Sequence, residues 1–142
     1  MRFWDSSAIV PIIIEQRGTP AVRALLEHDE AMAVWWGTVI ECEGAIARFG
    51  RDRRASGDAL EPLRLQLAEL EKLWTEITPS ADLRFRAVQL VRRHPLRAAD
   101  ALQLAAALYV TGEVHTAPPF VSLDRRLREA ATMEGFAVLP PS

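Results

Sequence analysis

Short apolar runs alternate along the chain with longer stretches that carry helix-forming patterns. The apolar runs at residues 2–4, 31–36 and 120–123 predict buried strands, and residues 74–78 and 136–139 predict two further short strands. Strands that alternate with helices are typical of a parallel sheet with helices on both faces. The pattern therefore predicts an α/β fold.

The stretches between the strands are predicted to be helical. They cover residues 8–14, 19–27, 38–53, 58–73, 80–93, 96–112 and 125–133. Thr19 and Asp58 are expected to cap two of these helices, and Thr38 with Glu41 has the pattern of a capping box. Pro11 argues against a central strand but is tolerated near the start of a helix, where backbone donors lack partners anyway.

The alanine-rich segment at residues 96–108 has the clearest helical pattern. Leu104 and Leu108 recur at helical spacing on an apolar face, whereas Asp100 places one carboxylate in the first turn. Two readings of Asp100 are open. It is either a favourable charge at a helix N-terminus or part of a metal or proton site that acids from elsewhere complete.

Composition indicates a single soluble domain over residues 1–142, with 49% hydrophobic and 25% charged residues. The formal net charge of −2 argues against a protein that simply coats nucleic acid. Lys72 is the only lysine, so arginine supplies nearly all the positive charge. This bias is explained equally well by a phosphate-binding patch or by the composition of the genome.

Cys42 is the only cysteine, which excludes an internal disulfide and a cysteine-built zinc site. Its apolar helical neighbours favour a small buried side chain over a nucleophile. Asp5 interrupts any signal-peptide pattern after Met1, and no apolar run is long enough to span a membrane. We therefore expect a cytoplasmic protein with no membrane partner.

Four acids occupy similar positions relative to the predicted sheet. Asp5 follows the first strand, and Asp124 follows the strand at residues 120–123. Glu41 begins the helix after the second strand, and Asp100 begins its own helix. Because sites in open α/β sheets lie outside the carboxyl ends of the strands, we expect these acids to share one edge.

Gathered carboxylates repel one another, and their oxygen-only chemistry selects a hard divalent ion such as Mg²⁺ or Mn²⁺. Such an ion suits phosphodiester cleavage, because it lowers the pKa of an attacking water. Each acid also has a purely structural reading. Asp5 and Asp124 can be plain N-caps, and Glu41 can be the reciprocal member of its capping box.

Four segments, taken in order, span nearly the whole chain and carry a resemblance to a known family. They are Phe3-Trp4-Asp5-Ser6-Ser7-Ala8, Trp35-Trp36-Gly37-Thr38-Val39-Ile40-Glu41-Cys42, residues 96–108 around Asp100, and Phe120-Val121-Ser122-Leu123-Asp124-Arg125-Arg126-Leu127. In these segments the chain resembles the PIN-domain family and, within it, the VapC-type toxins of bacterial toxin–antitoxin pairs.

The resemblance implies a three-layer α/β/α sandwich with a parallel sheet and a ribonuclease that uses Mg²⁺ or Mn²⁺. The acids at the family's positions are Asp5, Glu41, Asp100 and Asp124. Asp5, Asp100 and Asp124 are expected to hold the metal directly or through water. Glu41 is expected to be a ligand or to orient the attacking water. Ser6 and Ser122 match polar positions that support the acids or a ligand water. VapC-type toxins usually form dimers, and a cognate antitoxin inhibits them, often by docking across the site.

Some assignments stay open at this point. Glu43 lies about 200° around the helix from Glu41, so both cannot face one ion. The family pattern favours Glu41. Arg97, Arg125 and Arg126 lie near the acids in sequence and either contact RNA phosphates or form solvated helix surface.

Two other functions compete with the nuclease. One is a PIN-like dimer without useful nuclease activity that binds RNA or its antitoxin. The other is a phosphoryl-transfer protein of receiver or phosphatase type, which normally needs a lysine near its site, whereas Lys72 lies in the long middle helix. His28, His94 and His115 lack metal-binding spacing and receive no role.

Overall fold

A computed structural model describes residues 1–113 and 116–141, and His115 lies outside the described residues. Within them the strands form one parallel sheet in the order β3-β2-β1-β4-β5. The strands are β1 (Arg2–Trp4), β2 (Met32–Trp35), β3 (Thr75–Ile77), β4 (Phe120–Val121) and β5 (Val138–Leu139). The first strand of the chain therefore lies at the centre of the sheet, between β2 and β4.

Helices follow the strands in the predicted sequence order. They are α1 (Ser6–Ile13), α2 (Thr19–His28), α3 (Thr38–Asp52), α4 (Gly57–Leu73), α5 (Ala81–Arg93), α6 (Ala98–Glu113) and α7 (Arg125–Met133). Pro11 lies inside α1, so the helical prediction there is confirmed over the strand alternative. None of the helices in the described residues has the length and apolarity needed to cross a bilayer.

Two hydrophobic clusters lie on opposite faces of the sheet and form the outer layers with the helices. Phe3 and Phe120 pack into the cluster that contains α5, α6 and α7. Trp4 and Val121 point the other way, into the cluster that contains α1, α2, α3 and α4. Side chains alternate in this way because successive strand residues face opposite sides of a sheet. The predicted three-layer α/β/α fold is confirmed.

Strand β1 has the predicted bounds, and the other strands are shorter than the sequence pattern predicted. The predicted strand at residues 120–123 pairs only at Phe120 and Val121. Beyond them the chain leaves the sheet, because the Ser7 hydroxyl accepts the backbone N–H groups of Leu123 and Asp124 at 2.9 and 3.1 Å. Side-chain hydrogen bonding thus replaces strand pairing at the point where the chain reaches the acids.

Two predicted helix caps are wrong. The Thr19 hydroxyl donates to the Pro11 carbonyl at 2.7 Å and accepts from the Gln16 N–H at 2.9 Å, so it links α1 to α2 instead of capping α2. Helix α4 begins before Asp58, and Ser56 is its N-cap. For α4 a neighbouring polar residue takes the capping position, and for α2 the Thr19 hydroxyl bonds backbone groups before the helix, so sequence alone does not rank the competing partners.

The burial of Cys42 agrees with the sequence interpretation. Burial, followed by the negative charge of nearby carboxylates led by Glu41, raises the pKa of the thiol to about 12. At neutral pH the side chain is therefore a protonated small hydrophobe in the core beneath α3, and a nucleophilic role for this cysteine is excluded.

Candidate functional site

The four predicted acids line one cleft of about 630 Å³ at the carboxyl edge of the sheet: Asp5, Glu41, Asp100 and Asp124. A second cleft of about 510 Å³ shares the last three of these acids and adds Arg97, Arg125 and Arg126. The structure thus brings together residues from four separate segments and sets the three arginines beside them.

Asp5 is fixed where β1 ends and α1 begins. Its side chain is the N-cap of α1 and accepts the Ser7 backbone N–H at 3.1 Å. The Ser7 hydroxyl donates to its second carboxylate oxygen at 2.5 Å. The carboxylate is only 3% exposed. Asp5 therefore does have the capping role that the sequence allowed, and it faces the cleft as well.

The Ser7 hydroxyl also ties Asp5 to Asp124. A hydroxyl has one hydrogen to donate and two lone pairs to accept with. Ser7 uses all three, since it donates to Asp5 and accepts from the backbone N–H groups of Leu123 and Asp124. Ser7 belongs to a matching motif, but no local pattern predicts that its hydroxyl bridges two segments that are distant in sequence.

Asp124 is the N-cap of α7, and its carboxylate accepts the Leu127 N–H at 2.9 Å. Its own backbone N–H donates to the Ser122 hydroxyl at 3.1 Å, and that hydroxyl lies 3.2 Å from the Ser7 hydroxyl. Ser122 is fully buried. The structure thus places Ser122 beneath the loop that carries Asp124.

Glu41 is held differently, and the predicted capping box is wrong. Gly37 is the N-cap of α3, while Thr38 is the first residue inside the helix. The Glu41 carboxylate turns towards α6, where it accepts from Gln103 Nε2 at 2.8 Å, and it also accepts from the Ser6 hydroxyl at 3.2 Å. Ser6 lies 3.4 Å from Asp5 Oδ1 as well, so one hydroxyl contacts both acids.

Gln103 is a fully buried polar side chain that sequence reasoning missed. Its amide nitrogen donates to Thr38 Oγ1 at 3.0 Å as well as to Glu41. Among the described residues its amide oxygen has no hydrogen-bond partner. Leaving a buried acceptor unpaired costs stability. The two hydrogen bonds to Glu41 and Thr38 must therefore hold the amide in this orientation.

The alternative acid, Glu43, is placed outside the cleft lining. Its carboxylate lies 3.6 Å from Arg64 Nε on the side of α3 that faces α4. Glu41 and Glu43 therefore point in different directions, as helical geometry requires for residues two apart. Of the two, Glu41 is the one positioned to act with the other acids.

The pKa values of three acids are raised, in each case chiefly by burial, which disfavours the charged form. For Asp5 the surrounding hydroxyls offset part of this rise. For Glu41 the charges of Asp5 and Asp100 add to burial, and the Gln103 amide opposes them. For Asp100 the charge of Asp124 adds to burial. The cleft thus holds more negative charge than the protein itself compensates.

A divalent cation would relieve this repulsion, and the donors fit one that is bound partly through water. Within the described residues, no three Asp, Glu, His or Cys side chains are arranged to hold one ion directly. Mg²⁺ usually takes only one or two carboxylates directly and keeps several waters, so this spacing suits it better than a closed protein cage. Oxygen donors alone exclude the softer thiolate and imidazole chemistry of zinc.

One basic side chain beside the acids was not predicted, and one histidine lies elsewhere. Arg48 lies on α3 two turns beyond Glu41 and is the basic side chain that lines the first cleft among the described residues. Sequence reasoning did not single it out, although its spacing of seven from Glu41 places both on one helix face. His94 instead contacts Glu134 at 2.7 Å, away from the acids.

Comparison with known proteins identifies the fold. The sequence model of the PIN domain family matches residues 2–133. A toxin–antitoxin complex from Klebsiella pneumoniae is similar in structure, with a TM-score of 0.64 at 18% identity over 100% of this chain and 98% of that chain. The crystal structure of PAE2754 from Pyrobaculum aerophilum is also similar, with a TM-score of 0.65 at 17% identity over 96% of this chain and 81% of that chain. No curated protein matches the chain in sequence.

Proposed function

The chain belongs to the PIN domain family, and on that premise we propose that it is a metal-dependent endoribonuclease that acts as the toxin of a toxin–antitoxin pair. The observation that carries this proposal is the meeting of four acids in one cleft beside an arginine-lined cleft. Oxygen ligands for Mg²⁺ or Mn²⁺ next to cations that bind phosphate suit metal-assisted phosphodiester hydrolysis.

In this proposal Asp5, Asp100 and Asp124 hold the metal, directly or through water, and Glu41 is a further ligand or orients the attacking water. When bound, the ion supplies a water of lowered pKa and neutralises charge on the phosphate. The raised pKa values of Asp5, Glu41 and Asp100 fit a site built for a cation, because a nearby positive charge favours their ionised forms.

The supporting residues fix the acids before substrate arrives. Gln103 and Ser6 fix the direction of the Glu41 carboxylate, so its oxygens need not reorganise during the reaction. Ser7 and Ser122 hold the Asp124 loop against β1. Arg97, Arg125 and Arg126 contact RNA phosphates from the adjoining cleft.

The proposal is tested by RNA cleavage in Mg²⁺ with Asp100→Asn and, as a matched control, Glu43→Gln. Asp100→Asn removes a charge from the cleft, whereas Glu43→Gln removes one from the same neighbourhood outside it. We expect Asp100→Asn to abolish cleavage while its unfolding temperature stays at or above that of wild type, because repulsion is relieved. Full activity in Asp100→Asn would refute the assigned role.

A cognate antitoxin and a second copy of the chain are the proposed protein partners. The Klebsiella toxin–antitoxin complex supports the first, since its chain and this one align almost end to end. Exposed hydrophobic side chains such as Trp36, Ile40 and Phe85 are surfaces of the kind that partners cover. Light scattering measures the oligomer, and co-expression with the product of a small neighbouring reading frame tests for inhibition of cleavage.

One observation favours a second candidate, an RNA- or antitoxin-binding module with little nuclease activity. In the described part of the chain, no three acids are arranged to hold an ion directly. The cleavage assay separates the two candidates if RNA binding is measured alongside it. Tight RNA binding with no cleavage in Mg²⁺ or Mn²⁺ would support the module and reject the enzyme.

A further inference from the structure

The two clefts share a wall of acids and carry arginine on opposite sides of it. Glu41, Asp100 and Asp124 line both clefts. The second cleft has Arg97, Arg125 and Arg126, and the first has Arg48. The acids therefore lie between one arginine and a group of three. A polyanion that approached the acids alone would be repelled, so cations on both sides matter for binding.

Helix α3 connects the acids to Arg48 along the floor of the first cleft. Glu41 and Arg48 are seven residues apart, which places them on one face and about 10 Å apart along the helix axis. Gly44 and Ala45 lie between them and also line the cleft. A Cβ atom built at Gly44 would meet no atom within 4 Å, so the space above this part of the helix is open.

Arg48 is available to a ligand. Its side chain is exposed, and among the described residues no carboxylate lies within ion-pair distance of it. Arg64 on α4, by contrast, is paired with Glu43. A guanidinium presents a planar fork of donors that matches two oxygens of a phosphate.

We propose that Arg48 binds a phosphate of the RNA strand on the side of the acids opposite Arg97, Arg125 and Arg126. The strand then passes along α3, over Gly44, and across the acids, with a phosphate held at each end. Arg48 is a substrate-binding residue here, not a metal ligand. The inference rests on the proposed function for the identity of the polyanion, and it adds the direction in which the strand crosses the cleft.

The first test measures binding separately from cleavage. In an Asp100→Asn background, the affinity for a short single-stranded RNA is compared between Arg48→Ala and Arg51→Ala across a range of salt concentrations. Arg51 lies on the same helix, is exposed, and does not line the cleft, so it removes the same charge elsewhere. We expect Arg48→Ala to weaken binding several-fold and to reduce the slope of log affinity against log salt by about 0.7, the value for one single-strand phosphate contact.

In the active protein, Arg48→Ala should raise KM with kcat little changed, and Arg48→Lys should recover part of the affinity. A residue with a merely structural role would change the unfolding temperature instead of the salt slope. Equal affinities and equal slopes for Arg48→Ala and Arg51→Ala would overturn the assignment.

The second test blocks the proposed path without removing charge. Gly44→Phe fills the open space over α3, whereas Gly44→Ala adds only a methyl group that meets nothing. Both variants should fold, because alanine and phenylalanine are better helix formers than glycine. We expect Gly44→Phe to lose RNA binding and cleavage while Gly44→Ala keeps both. Undiminished binding in a folded Gly44→Phe protein would place the strand elsewhere.

These outcomes separate this inference from the proposed function. If the wild type cleaves RNA and neither Arg48→Ala nor Gly44→Phe has an effect, the inference is wrong and the nuclease stands. If RNA binds in an Arg48-dependent way but no cleavage occurs in Mg²⁺ or Mn²⁺, the inference stands and the nuclease is rejected. If the wild type neither binds nor cleaves RNA, both are rejected.

Discussion

Two regions of the cleft hold their acids by different means. Asp5 and Asp124 cap α1 and α7 and are joined through the Ser7 hydroxyl, so backbone N–H groups fix them. Glu41 caps nothing, and side chains alone, those of Gln103 and Ser6, fix its carboxylate. We call the first region the capped pair and the second the Glu41 contact. The capped pair stabilises two helices and also positions acids in the cleft. The Glu41 contact only positions an acid in the cleft.

The difference predicts different costs for removing acids from the two regions. Asp124→Ala and Glu41→Ala should both lower cleavage at least about 10²-fold, the size of losing one preorganised electrostatic contact. Asp124→Ala should also be about 1 kcal/mol less stable than Asp124→Asn, since only asparagine keeps the cap bond to Leu127. Glu41→Gln should match or exceed wild-type stability, because it removes a charge that burial disfavours and keeps an oxygen for the Gln103 amide.

Urea denaturation in EDTA measures these stabilities without metal, and cleavage is assayed separately in Mg²⁺. If Asp124→Ala and Asp124→Asn were equally stable, the cap bond would contribute nothing and the comparison between the regions would fail. The same conclusion would follow if Glu41→Gln were clearly destabilised.

Ser7→Ala removes the hydroxyl that links the two acids of the capped pair. The Leu123 N–H loses its acceptor and Asp5 loses a donor, so we expect a stability loss of about 1–3 kcal/mol. Because Asp124 is no longer held against β1, cleavage should fall about 10–100-fold, as for other residues that support metal ligands. Ser6→Ala is the control, since its hydroxyl contacts only side chains at 3.2 and 3.4 Å. A larger stability loss in Ser6→Ala than in Ser7→Ala would contradict this assignment.

Gln103→Leu removes the amide group from the Glu41 contact. The Glu41 carboxylate loses its shortest hydrogen bond and becomes free to reorient, which should reduce cleavage about tenfold, the lower end for supporting residues. Stability should change little, because the substitution also removes a buried amide oxygen that has no partner among the described residues. Gln89→Leu on the exposed face of α5 is the control for a general effect of the substitution. Normal cleavage in Gln103→Leu would show that Glu41 needs no fixed direction.

The smallest expected effect is the pH dependence of stability without metal. The folded-state pKa values of Asp5 and Glu41 lie above the ordinary values of 3.8 and 4.5, so the folded chain binds protons more readily than the unfolded one. Stability in EDTA should therefore fall as the pH rises from about the ordinary values through the raised ones. Asp5→Asn should remove more of this slope than Glu41→Gln, because Asp5 is the more buried acid.

Added Mg²⁺ should reverse the trend, since the ion binds the ionised acids of the folded state. Unfolding temperature followed across pH, with and without Mg²⁺, measures both effects. A stability that rises with pH in EDTA would show that burial does not control these carboxylates.

The fold and the location of the acids could be predicted because they depend on local patterns. Aspartates that directly follow apolar strands, such as Asp5 and Asp124, lie at the carboxyl edge of a parallel sheet whatever the details of packing. The helical patterns likewise needed no tertiary information. The bounds of the helices and strands therefore agree with the prediction to within one or two residues, although β4 and β5 are only half as long as predicted.

The connections between the acids could not be predicted, because they join residues that are distant in sequence. Gln103 contacts Glu41 across 62 positions, and Ser7 contacts Asp124 across 117. The same is true of Thr38, whose hydroxyl accepts from Gln103 instead of capping its own helix.

The pairing of β1 with β4 also fixes when the cleft can exist during translation. Asp5 leaves the ribosome first, but its neighbour Asp124 and the strand that positions it are made only after Glu41 and Asp100. A growing polypeptide that already carries Asp5, Glu41 and Asp100 still lacks one wall of the cleft. The complete cleft therefore forms only after β4 has emerged and paired with β1.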